Sequence, residues 1–168
     1  MSFDIDATEY TSETDTHGNM PKPGQYHVEI VKWDDSFSKT DAIIAEFGVL
    51  AGTTPGQMGK VHTEFFATGS KADDPTKRAK GTKFCLDRIA TCAMAAGVVR
   101  PGEHKAIEAS DMLGRDLVIA LEEDTYNGKT RVKIPFCQMW PATHPDVADV
   151  PKGATAMDAP FNSDVSDL

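Results

Sequence analysis

Apolar and polar residues alternate along much of this chain, and the alternation predicts five strands with one helix among them. In QYHVEIVKWDDSF, Tyr26, Val28 and Ile30 fall on one side and His27, Glu29, Val31 and Trp33 on the other. Asp41 to Thr68 reads as a hairpin. Ile43, Ala45, Phe47 and Val49 share a face of its first strand, and Val61, Thr63 and Phe65 share a face of its second. Gly52, Thr53, Thr54, Pro55, Gly56 and Gly59 supply the reversing connection. Two strands bury too little apolar surface to stand alone, so the flanking segments must complete a sheet around them.

A polar stretch, ATGSKADDPTKRAKG, reads as a connection and leads to TKFCLDRIATCAMAAGVV, where Phe84 or Cys85, Ile89, Cys92 or Ala93 and Ala96 recur at helical steps. Thr82 is the expected N-cap and Gly97 the expected left-handed C-terminal cap. A short helical turn capped by Ser110 should precede the fourth strand, GRDLVIALEED, where Leu117, Ile119 and Leu121 oppose Val118 and Ala120. The fifth, KTRVKIPF, should turn Val132, Ile134 and Phe136 inward and Lys129, Arg131 and Lys133 outward. Asn127-Gly128 between them is a strong signal for a two-residue hairpin turn.

Charge changes the picture at the ends. Of the net charge of -9, residues 1 to 19 contribute five acids and no Lys or Arg, and residues 142 to 168 contribute five acids against Lys152. The span between them carries 16 basic and 16 acidic residues, so a neutral body could still present a local basic stripe. The expected organisation is an acidic arm over 1–20, a folded domain over 21–141 and a disordered acidic tail over 142–168. No apolar run reaches membrane-spanning length and no secretion signal opens the chain, so a cytoplasmic protein without membrane contact is expected. Cys85, Cys92 and Cys137 lack metal-ligand spacing and read as reduced thiols. The five histidines are scattered, and neither a metal nor another cofactor is expected.

Three strands, a helix and a closing hairpin form the element order of the OB-fold, a five-stranded Greek-key barrel with its helix between strands three and four. The words agree with the order. PGQYHVEIVKW, the FGVL strand, the FF pair closing the third strand, the Ala-rich helix ending AAG, and LGRDLVIAL followed by NGKTRVKI together resemble a phage-encoded family. Its members are single-stranded DNA-binding proteins, long described as a domain of unknown function. The resemblance covers roughly residues 21 to 137. It implies a mainly β OB barrel and non-sequence-specific binding of single-stranded DNA in replication or recombination, without catalysis. The tail separately resembles those of bacterial single-strand binding proteins, which close on Pro-Phe. Here Pro160-Phe161 is followed by seven further residues ending in Asp167-Leu168.

Binding of this kind needs aromatic faces for bases and cations for phosphates. The expected set is Trp33, Lys39, Lys60, His62, Phe66, Lys129, Arg131 and Lys133 on outward faces, with Tyr126 at the tip of the last hairpin. Phe65, Phe47 and Tyr26 read as core, and the basic residues between Lys71 and Lys83 form a second candidate patch. Phe161, Asp164, Val165, Asp167 and Leu168 are candidates for capturing a replication or recombination protein, and the tail acids could also compete with DNA for the groove. An exposed edge in strand one or four could pair two copies of the chain. The rival readings are an OB-fold protein-interaction module that does not bind nucleic acid and, through Glu122, Glu123 and Asp124, a metal-dependent nuclease.

Overall fold

The computed structural model describes residues 20–38 and 41–155. The fold is mainly β: a six-stranded antiparallel sheet with one long helix between the third and fourth strands. The elements are β1 (Gly24–Asp34), β2 (Ala42–Gly52), β3 (Val61–Ala67), α1 (Pro75–Ala95), α2 (Ala109–Met112), β4 (Asp116–Tyr126), β5 (Lys129–Lys133) and β6 (Met139–Trp140). A single 3-10 turn follows at Pro145–Val147. The strand path runs β3-β2-β1-β4-β5, and β6 pairs with β4 beyond the end of β5. β1 and β4 are therefore interior strands, and the edge expected on one of them lies instead at β3 and β5.

Asp74 caps α1, its side chain accepting from the Lys77 N–H at 3.0 Å, with Pro75 in the first turn where its missing donor costs nothing. The helix thus begins about two turns before the expected Thr82 cap, and the stretch read as a connection supplies its exposed first turns. Thr82 instead accepts from the Ser70 N–H, holding the preceding loop along the helix. At the other end Gly97 takes the left-handed conformation as expected, with φ 76. The helix contacts β3, one end of the strand path, and β6, which pairs with β4 off that path.

The core lies between the helix and one face of the sheet. It includes Tyr26, Val28, Ile30, Ala45, Phe47, Leu117, Ile119 and Met139, with Cys92, Ala93 and Ala95 from the helix. Burial pushes the Cys92 thiol up to about 12, so it acts as a small hydrophobe. Gly52 lies flat over Tyr26, where a Cβ would overlap the phenol ring. The Asn127-Gly128 turn has positive φ at both residues, 51 and 75, as a type I′ connection requires.

Two strands depart from simple alternation. Ile30 pairs with Phe47 but Lys32 with Glu46, so Val31 is an extra residue bulged out of β1. Every later side chain changes face, and Trp33 joins Tyr26, Val28 and Ile30 inside. In β3, His62 lies opposite Phe47, Glu64 opposite Ala45, and Phe66 opposite Ile43. The inward set of β3 is therefore the polar-looking one, and Phe65 points out.

Packing continues beyond the boundary expected at residue 141. Val147 and Val150 are buried against Val118 on the outer face, with Trp140 beside them. The Gly153 N–H donates to Nδ1 of His27 at 3.0 Å, while the His27 Nε2 contacts Asp116 at 2.7 Å. Residues 142–155 thus cover the face of β1 and β4 that lies away from the helix. No helix among the described residues is long and apolar enough to cross a membrane.

Candidate nucleic-acid interface

β3 and β5, the two ends of the strand path, face one another across a cleft of about 670 Å³. Strand β3 lines one wall, residues 131–136 the other, and Phe84 and Arg88 of α1 the base. Three phenylalanines on this lining are exposed: Phe65 at 55%, Phe84 at 48% and Phe136 at 51%. Each has a local cause. Phe65 occupies the outward register of β3. Phe84 follows Lys83 on the side of α1 that faces the gap rather than the sheet. Phe136 sits in the irregular segment between β5 and β6, where the Gln138 N–H closes a turn onto the Pro135 carbonyl and Cys137 adopts φ 55. That turn brings the Phe136 ring onto Phe84, with centroids 4.3 Å apart and planes inclined by 13°.

Cations stand beside these rings. Arg131 and Lys133 line the cleft and share one carboxylate, Asp124, at 3.4 and 3.6 Å. All three side chains retain solvent access, so the pairs are weak and an incoming phosphate can compete with Asp124. Deeper in, Arg88 donates from Nη2 to Glu64 at 2.7 Å, and Nε2 of His62 lies 2.6 Å from the other Glu64 oxygen. The guanidinium also lies 5.0 Å from the centroid of the Phe66 ring. Burial pushes the pKa of Glu64 up, but His62 and Arg88 together outweigh it and hold the carboxyl below its ordinary range. This buried group has its charges matched internally and ties α1 to β3.

The structure redistributes the expected site. Trp33, 4% exposed, and Phe66, fully buried, pack against one another in the core at 6.0 Å and offer no face to a base. His62, 5% exposed, is held by Glu64 instead of facing outward. Both corrections have the causes given above: the Val31 bulge for Trp33, and the β3 register for His62 and Phe66. Lys60 is half-buried in the turn before β3 and stands outside the cleft lining, whereas Lys129 is exposed at the start of β5. Tyr126 pairs with Lys129 across the last hairpin. Lys39 and the tail residues Phe161, Asp164, Val165, Asp167 and Leu168 lie outside the described residues. Of the expected set, the cleft brings together Arg131, Lys133 and the now inward His62.

Sequence reasoning missed Phe65, Phe84 and Phe136. Phe65 and Phe136 occupy positions that alternation assigns to the core. Pro135 next to Phe136 was the available signal, since a proline ends a regular ladder. A second hollow shares Phe65 with the cleft and runs to Phe37, 49% exposed, and Lys71. Lys71 pairs there with Asp41 at 2.7 Å on the open surface. The other basic residues expected to form a patch, Lys77, Arg78, Lys80 and Lys83, are exposed on α1, Lys83 pairing with Asp87 at 3.1 Å. Among the described residues no group of three or more His, Cys, Asp or Glu side chains could hold a metal ion. Comparison with known proteins finds no matching family model and no matching curated relative.

Proposed function

We propose that this chain binds single-stranded DNA without sequence choice, in the cleft between β3 and β5. The observation that carries the reading is the convergence of exposed Phe65, Phe84 and Phe136 with Arg131 and Lys133 on one cleft. Bases of any identity have a ring face to stack, and cations beside the rings follow the phosphates. A cleft walled by a strand on each side suits one extended chain. The strand path, with its helix between the third and fourth strands, is also what an OB barrel with its seam at β3 and β5 would present. On this reading the motifs quoted above support a role in phage replication or recombination in the bacterial cytoplasm. Binding needs no catalysis, and the acidic tail would recruit a partner protein through Phe161, Val165 and Leu168.

The test is fluorescence anisotropy of labelled oligothymidine with the full chain. Affinity at low salt should fall as salt rises, with a log-log slope of about -1.4 to -2.1 if two to three phosphates are neutralised. Phe65→Ala and Phe136→Ala should each weaken binding by roughly 5- to 150-fold, the equivalent of about 1 to 3 kcal/mol of stacking. A folded protein that leaves the strand unbound at low salt overturns the proposal. The alternative is a protein-interaction module, favoured by the same two strands because the end of a ladder can accept an added peptide strand. Joint Arg131→Glu and Lys133→Glu substitution separates them: it should abolish DNA binding but leave strand addition to a peptide intact.

A further inference from the structure

We infer that the cleft has an occupant within this chain: residues 1–19 dock there as an acidic mimic of the strand and compete with it. The inference rests on the DNA-binding reading of the cleft and adds a regulator to it. Met20 is the first described residue and itself lines the cleft, so the arm joins the fold at the wall of the site. The arm, MSFDIDATEYTSETDTHGN, carries five acids and no Lys or Arg, with aromatic rings at Phe3 and Tyr10. These are the chemical features of the proposed ligand: negative charges spaced along a chain, with rings between them. The cleft offers the complement in Arg131 and Lys133 beside three exposed phenylalanines.

Reach is no obstacle, since the residues from Phe3 to Met20 span up to roughly 55–60 Å when extended. A tether of this length holds its end at an effective concentration on the order of millimolar, so even a weak contact would fill the cleft much of the time. The C-terminal acids follow a different attachment point. The last described residue before them is buried Thr155, two residues after Gly153 is fixed to His27 on the face away from the helix. Geometry therefore favours the N-terminal arm as competitor over the tail.

The experiment uses the full chain with Asp4→Asn, Asp6→Asn, Glu9→Gln, Glu13→Gln and Asp15→Asn combined, beside a control with Asp158→Asn, Asp164→Asn and Asp167→Asn. Oligothymidine affinity at low salt should rise about 3- to 10-fold in the arm variant, and the gain should vanish at high salt, where screening already frees the cleft. The tail control should gain much less per charge removed. A DNA-free readout runs alongside: with labelled phenylalanine, the ring resonances of Phe65, Phe84 and Phe136 should shift between wild type and arm variant. Equal gains per charge in arm and tail would reduce the effect to net charge and overturn the inference, as would unmoved resonances. If neither protein binds DNA, the DNA-binding reading fails by itself, and the resonances alone decide whether the arm occupies the cleft.

Discussion

The outer face of β1 and β4 and the cleft between β3 and β5 both expose apolar side chains as the sheet forms, and the chain treats them in opposite ways. Over the first, residues 142–155 fold back, bury Val147 and Val150 on Val118, and fasten themselves through Gly153 to His27 and through the Lys152 ammonium to the Val147 and Val150 carbonyls. Over the second, among the described residues, Phe65, Phe84 and Phe136 stay open to solvent. The outer face needed no aromatic residue beyond Trp140 to be sealed, whereas the cleft gathers three large rings and leaves each about half exposed. Apolar surface concentrated in one place and rimmed by charge is characteristic of a binding site, not of a packing margin.

The comparison breaks most severely at the floor of the cleft. Arg88→Met removes the cation that Glu64 faces while keeping the bulk of the side chain, and it leaves a carboxylate whose side chain is only 10% exposed with His62 alone. Uncovering one partner of a buried pair typically costs about 3 to 5 kcal/mol. Urea unfolding should report that loss, and a change below about 1 kcal/mol would mean water reaches Glu64 freely.

Next come paired substitutions on the two surfaces, which should divide stability from affinity. Val147→Ala deletes two buried methyl groups from the outer cover and should cost roughly 1.5 to 3 kcal/mol of stability, transfer and cavity combined. It should leave oligothymidine affinity unchanged. Phe65→Ala should do the reverse, holding stability within about 0.5 kcal/mol because the ring is exposed, while weakening the strand complex. If Phe65→Ala instead destabilises the fold as much as Val147→Ala does, the cleft is a packing surface and the contrast collapses.

Periodicity made most of the sheet legible before any coordinates. The β2 face of Ile43, Ala45, Phe47 and Val49, the Asn127-Gly128 turn and the helix after the third strand are local patterns, and each stands where the alternation placed it. The site was harder to read because its determinants are not local. One bulged residue, Val31, reverses the face of Trp33, and alternation cannot register an insertion that only the partner strand reveals. β3 misleads for another reason. Its inward face carries His62 and Glu64, which look like surface residues until Arg88, 24 positions beyond Glu64, pairs with the carboxylate that also holds His62. The cover at Val147 and Val150 was hidden because a single 3-10 turn is too short to build a periodic signal.

The smallest effect expected concerns acid, and it tests whether the cleft floor is the rigid counterpart of the open rings above it. Burial alone would make Glu64 easier to protonate, yet His62 and Arg88 outweigh it and hold its carboxyl below the ordinary value of 4.5. In the interval between the folded and unfolded values, the unfolded chain therefore binds more protons than the folded one, and stability must rise with pH there. The Glu64 contribution is complete above the unfolded value and is lost as pH falls through the folded one. Opposing causes leave only a net lowering, so the effect should be modest and visible only as a difference between proteins. Urea midpoints of wild type and Glu64→Gln, followed from pH 7 down to pH 3, should show the variant less stable at neutral pH and its curve flatter in acid. Parallel curves would mean that Glu64 is no more strongly paired in the folded chain than in the unfolded one, and that the floor of the cleft is as open to water as its walls.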